Sequence, residues 1–254
     1  MVKAIKITLL SLLIVCLVGI MVSFMTGNFN FKTKSKLIYD NEFELSEIKD
    51  FDIDVRSMDV KIVESENEKV RIKIYAPEEK AIDVEKDEDG NISIKQNRKV
   101  SNVCVGFCFN QNTDITIYLP KEYDGKFNIK ATSGDITSEV KNYLSYDINV
   151  TSGDVELKNV DSLTGKTTSG DVEIENIKSY IKYKTTSGDF EIDSLTITKD
   201  SYIEATSGDV DIDETSNIYV NATAKSGDIK IKNNDRHAEY ELNIKTTSGD
   251  ITVK

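Results

Sequence analysis

The sequence predicts an all-β chain: a right-handed, single-stranded parallel β-solenoid (a β-helix), preceded by one transmembrane helix. Three observations carry this. A tetrapeptide ending in Ser-Gly-Asp returns seven times, at 132–135, 151–154, 168–171, 186–189, 206–209, 225–228 and 247–250. Its glycines recur at intervals of 17 to 22 residues, a period typical of stacked supersecondary units. An apolar, polar, apolar triplet follows nearly every copy, as in Val172-Glu173-Ile174 and Phe190-Glu191-Ile192, which is the alternation of a half-buried strand. Finally, residues 7–25 are 19 positions without a charge, long enough to cross a bilayer.

The first element is a short tail, residues 1–6, carrying Lys3 and Lys6. Together with the amino terminus these lysines favour an N-inside, C-outside orientation for the 7–25 helix. A cleaved signal peptide is the rival reading. The apolar run is longer than a usual signal core, and no small-residue cleavage site follows it. Cys16 is not placed as a lipoprotein cysteine, because apolar residues continue beyond it. Residues 26–37 read as a polar linker.

Residues 38–130 read as an irregular β section that caps the stack. Alternating runs such as Phe51-Asp52-Ile53-Asp54-Val55 and Ile115-Thr116-Ile117 predict strands, and Asp89-Gly90-Asn91 predicts a hairpin turn. Ser57-Met58-Asp59 is a degenerate corner. Met resists positive φ, so this corner is expected to turn differently or not at all. Cys104 and Cys108 would stand about 13 Å apart in an extended strand, beyond disulfide reach, so a bridge needs a turn at Gly106. The alternative is two buried thiols.

Residues 131–254 read as the regular solenoid. Each coil has two strands and a corner. Gly reaches positive φ without a Cβ clash, while Ser and Asp can bond the turn's own amides. Like strands stack in parallel at about 4.8 Å per step, so six intervals predict a rod roughly 29 Å long. Because the chain stops four residues after the seventh corner, its last strand, Ile251-Thr252-Val253, is expected to be an open edge able to pair with another copy or a partner strand.

With the Thr-Ser-Gly-Asp-(Val/Ile)-x-(Ile/Leu) repeat and the N-terminal apolar segment in hand, the chain resembles a bacterial family of putative adhesins, also called toastrack domains. The likeness spans 38–254 and is most specific over 131–250. It implies a right-handed β-helix, a place in the bacterial cell envelope and association with membrane proteins of envelope stress systems. It implies no established catalytic residues.

The net charge is −12, and residues 131–254 hold 23 acidic against 13 basic side chains, which argues against a nucleic-acid partner. His237 is the sole histidine and sits in a polar stretch with no nucleophile motif around it. Neither catalysis nor a cofactor is predicted. The turn aspartates raise a sharper question, since unit charges about 4.8 Å apart repel by about 0.9 kcal/mol even in water. Either hydrogen bonds offset this, or calcium lies along a column that includes Asp154, Asp171, Asp189 and Asp209. On the outward strand positions, Glu156, Glu173, Glu191 and Asp211 form one acidic column, and Glu175, Asp193 and Asp213 a second. Lys130, Lys166, Lys182, Lys184 and Lys245 enrich the face before the corner. The function these features predict is a non-catalytic, membrane-anchored, extracytoplasmic interaction surface for an envelope protein or wall polymer. A calcium-dependent surface module and a carbohydrate-active enzyme are the alternatives.

Overall fold

A Ser-Gly-Asp corner joins two strands of one coil, and in this computed structural model the corners stack directly on one another. The structure describes residues 35–77, 81–97, 113–216, 218–232 and 234–254. The 7–25 segment and the Cys104 and Cys108 pair lie outside the described residues. Among the described residues no helix is long and apolar enough to cross a membrane.

The chain enters as β1 (Lys36–Glu44), a single 3-10 turn (Leu45–Glu47), β2 (Phe51–Ser57), β3 (Asp59–Glu64) and β4 (Lys69–Ala76). It continues through β5 (Ile82–Lys86), β6 (Ile92–Gln96), β7 (Asp114–Leu119), β8 (Lys126–Ser133), β9 (Ile136–Ser138) and β10 (Leu144–Ser152). The long strands β11 (Val155–Ser169) and β12 (Val172–Ser187) each serve two consecutive coils without a break. The remainder is β13 (Phe190–Leu195), β14 (Ser201–Ser207), β15 (Val210–Thr215), β16 (Ile218–Ser226), β17 (Ile229–Ile231), β18 (Tyr240–Ser248) and β19 (Ile251–Val253).

These strands form two parallel ladders that meet at the corners. Before the corner the spatial order is β6, β2, β8, β10, β11, β12, β14, β18, β16. After it the order is β7, β3, β9, β11, β12, β13, β15, β19, β17. At the leading end β5 lies antiparallel on β6, and β4 lies antiparallel on β7 with β1 outside it.

Neither end follows chain order. At the trailing end the C-terminal coil, β18 and β19, is inserted between the β14/β15 coil and the β16/β17 coil. The expectation that Ile251-Thr252-Val253 is an open edge is therefore wrong: β19 pairs with β15 on one side and β17 on the other. Apolar inventory explains the order. Leu242, Ile244, Ile251 and Val253 are all fully buried and need neighbours on both sides. The outermost coil buries Ile218 and Val220, but Ala222, Ala224 and Ile231 are only half-buried and Ile229 is 42% exposed, so less apolar surface depends on a further neighbour there. At the leading end, likewise, β2 and β3 lie between the β6/β7 coil and the β8/β9 coil.

The Met58 corner also departs from expectation, because it joins the column. Ser57 pairs with Ser133, and a Cβ on Gly134 would lie 2.2 Å from the Met58 carbonyl oxygen, the same close stacking found between the glycine corners. The Met58 side chain is buried in the core.

The core is the stacked inward rows. Phe51 lies flat on Phe127 at 4.8 Å, Phe127 on Tyr146 at 5.7 Å, and Tyr123 meets both phenylalanines edge-on. The two deepest phenols are satisfied internally, Tyr146 with Ser138 Oγ at 2.7 Å and Tyr183 with Thr167 Oγ1 at 2.8 Å. Burial pushes both phenols well above their ordinary value, so they remain protonated.

Candidate functional site

The corner column sets the position of everything on the outer surface. Each corner Asp carboxylate accepts the backbone N–H of the next corner Asp, and the links run without a break through eight residues. In spatial order these are Asp59, Asp135, Asp154, Asp171, Asp189, Asp209, Asp250 and Asp228, joined at 2.7 to 3.1 Å. Two backbone bonds accompany each link that leaves a glycine corner. The corner Gly N–H donates to the Ser carbonyl of the next coil, and the residue after Asp donates to the next Asp carbonyl, as in Gly170 to Ser187 at 3.2 Å and Val172 to Asp189 at 2.9 Å. Asp154, Asp171, Asp189 and Asp209 thus each place Oδ1 on an amide, which supplies the compensation that stacked carboxylates need. Among the described residues no cluster of three or more His, Cys, Asp or Glu side chains is arranged to hold a metal ion.

Because register is held rung by rung, the outward acidic residues align. Glu156 pairs with Glu173, Glu173 with Glu191, and Glu191 with Asp211. The column ends at Thr137 on one side and at Thr252 on the other, with Lys230 beyond it. Among the described residues none of these four carboxylates is in an ion pair. The second column differs: Lys158 pairs with Glu175 at 3.1 Å and Lys254 with Asp213 at 2.6 Å, leaving Asp193 between them. A groove of about 260 Å³ runs over this surface, lined by Glu156, Glu173, Glu175, Glu191 and Asp193 among others. All seven acidic residues expected on one face are therefore brought together, with their charge concentrated in the first column.

Glu173 sits at the middle of that column. Desolvation on the sheet, followed by the charges of Glu156, Glu191, Asp171 and Asp154, raises its carboxyl above the ordinary value. A raised carboxyl favours the fold while it is protonated. Its contribution is complete below the unfolded value of about 4.3 and is lost as pH rises through the folded value. Glu173→Gln is therefore expected to raise the melting temperature at pH 7 and to leave it unchanged near pH 3. Thermal melts of both proteins at the two pH values check this, and an equal shift at both would show that charge is not the cause.

The lysine face is less polarised than its composition suggests. Its main outward row reads Lys95, Asp54, Lys130, Asn149, Lys166, Lys184, Glu204, Lys245, and Lys184 pairs with Glu204 at 2.6 Å. Sequence reasoning missed a depression of about 680 Å³ at the leading end of this face, lined by Asp52, Ser93, Lys95, Asn128, Lys130 and Asp147 among others. Its lining joins Glu85, Lys86, Asp87 and Asn91 of the β5/β6 hairpin to residues of β2, β8 and β10, which are distant in sequence. His237 is an exposed loop residue whose N–H donates to Asp235 Oδ1 at 2.8 Å.

The repeat geometry agrees with what a comparison of families finds, since residues 48–254 match Toastrack DUF4097. The chain belongs to the Toastrack DUF4097 family. Solved structures similar to this toastrack chain include a putative adhesin from Bacteroides fragilis, at 16% identity and a TM-score of 0.49, covering 86% of this chain and 97% of that one. A putative lipid binding protein from Parabacteroides distasonis aligns at 16% identity and a TM-score of 0.45, over 85% and 96% of the two chains. A putative cell adhesion protein from Clostridium sporogenes aligns at 14% and 0.42, over 87% and 99%. None of the curated proteins matches this toastrack chain.

Proposed function

We propose that the chain is a non-catalytic interaction module of the bacterial cell envelope, anchored by its 7–25 segment, with the toastrack domain outside the membrane. The observation that carries this reading is the column Glu156, Glu173, Glu191 and Asp211: four carboxylates in register, none of them in an ion pair among the described residues. A structural protein with no use for such a surface would relieve the repulsion by interleaving lysine, as the opposite face does. The face suits a cationic partner, either a basic segment of an envelope protein, including one engaged in stress sensing, or an amine-bearing wall polymer. Opposed potentials would supply steering and register more than raw affinity.

Two measurements test the proposal. Protease added to intact cells should remove the region after Lys36 while the remaining stub stays with the membranes. Full protection of that region, or recovery of the whole protein in the medium, rejects the anchored outward topology. Binding of a cationic peptide should weaken when Glu173 and Glu191 are both replaced by Lys, and should weaken steeply with added salt. Salt-independent binding, or binding indifferent to the two replacements, rejects the acidic face.

A further inference from the structure

The stack ends, among the described residues, on the coil of β16 and β17, and that end is built to receive another strand. Among the described residues β16 pairs only with β18, and β17 only with β19. Every earlier glycine corner engages the next coil through three groups: the Gly N–H, the Asp carboxylate and the N–H after Asp. On the last coil these are Gly227 N–H, Asp228 Oδ1 and Ile229 N–H, and among the described residues no further coil meets them. Asp228 donates its own N–H inward to Asp250 Oδ1 at 2.8 Å, so its carboxylate faces the open side of a seven-link ladder. Beside it the core end is open, with Ile229 42% exposed and Ala222, Ala224 and Ile231 half-buried.

Edge protection differs between the ends. β1, the outer strand at the leading end, carries Asp40, Glu42 and Glu44 and a register break between Leu37 and Tyr39, two devices that discourage pairing. β16 pairs with β18 in unbroken register and carries no charge before Lys225. Only its first half is covered, where the Asn234 side chain takes both the N–H and the carbonyl of Val220 at 2.9 Å. The open edge therefore runs from Ala222 around the corner to Ile231.

Polarity and charge choose the occupant. A strand meeting Gly227 N–H and Ile229 N–H with carbonyls, and Asp228 with an N–H, must run parallel and turn as a Ser-Gly-Asp corner does. Among the described residues, neither end of a second copy supplies it. The opposite end of its stack is closed by antiparallel β4 and β5, and its matching end carries the same Lys225, Lys230 and Lys232. Lysine at these outward positions favours acidic residues on the neighbouring strand. We propose that the β16/β17 edge is a docking site for an acidic extended segment of another protein, added in parallel as one further coil. This surface is separate from the acidic face and does not rest on it.

A labelled peptide with the chain's own 167–175 sequence, Thr-Thr-Ser-Gly-Asp-Val-Glu-Ile-Glu, serves as the probe. In the shared register its two glutamates face Lys230 and Lys232. Fluorescence anisotropy with the purified full chain in detergent should show saturable binding. Lys230→Glu should weaken it at least tenfold, and a peptide with both glutamates replaced by Lys should recover binding to that variant. Ile229→Pro, which removes the N–H, should abolish binding of either peptide, with circular dichroism confirming that the remaining coils are folded. Absence of saturable binding, indifference to Lys230→Glu, or a chain that dimerises through this edge and excludes the peptide would each overturn the proposal.

Discussion

Gly188→Val is expected to destabilise the fold by about 3 kcal/mol or more, the largest effect of any single substitution considered. Gly188 has φ of +124°, a region closed to β-branched residues, and a Cβ there would lie 2.1 Å from the carbonyl oxygen of Gly170. The obstacle is backbone, so no rotamer change relieves it. Moving the corner to make room would also stretch the Asp189 N–H to Asp171 link, now 2.8 Å, and the Gly188 N–H to Ser207 bond at 3.2 Å. Two neighbouring coils would therefore share the damage. Glu191→Gln, three residues away on the outward face, should change stability by less than about 0.5 kcal/mol. Chemical denaturation of both variants makes the comparison, and similar midpoints would refute the stacked-corner account of stability.

Deleting residues 240–254 is expected to unfold the β16/β17 coil as well as removing the last one. β16 and β17 have no other strand partner among the described residues, and the gap left by β18 and β19 spans a full coil. Four fully buried apolar side chains leave with the deletion, worth roughly 6 kcal/mol of gross burial before the entropy of the freed chain is counted. Hydrogen exchange should show the amides of 218–231 exchanging as an unfolded segment does. Those of β10, β11 and β12 should keep their protection, because each coil leans only on its neighbours. Retained protection at 218–231 would mean that this coil can close onto β14 and β15 by itself, contrary to the pairing described.

How much of this was legible in advance follows from the range of the interactions involved. The glycine corners were, because positive φ is a requirement of a few consecutive residues; the aspartates were expected to bond their own turn, whereas each carboxylate accepts the N–H of another coil's corner, 17 to 76 residues away in sequence. The acidic face was legible because alternation is local too. Once Val172, Val155 and Phe190 are known to point inward, the period of two sends Glu173, Glu156 and Glu191 outward, and equal register stacks them. Met58 was expected to turn differently or not at all, because Met resists positive φ; its corner does turn, stacking on Gly134 with the side chain in the core, an arrangement set by neighbouring coils and not by the local sequence. The 680 Å³ depression is lined by β2, β5, β6, β8 and β10, strands distant in sequence, so no window of sequence contains it.

The order of the coils marks the boundary most clearly. By itself the sequence determined the strands, the corners, the inward and outward faces and the belonging of the chain to a repeating parallel stack, since all of these follow from local backbone geometry and alternation. Only the tertiary structure decided which coil lies next to which. Every coil carries nearly the same hydrogen-bonding edge, so backbone complementarity cannot tell the coil at 218–231 from the coil at 240–253. The choice falls to burial: the coil with Leu242, Ile244, Ile251 and Val253 needs cover on both sides, whereas the coil that buries Ile218 and Val220 carries only Ala222, Ala224 and the half-exposed Ile229 around its corner and loses less by having one neighbour. That is a comparison between segments across the whole stack, and it fixes the chain's open end on β16 and β17 rather than on its last residues.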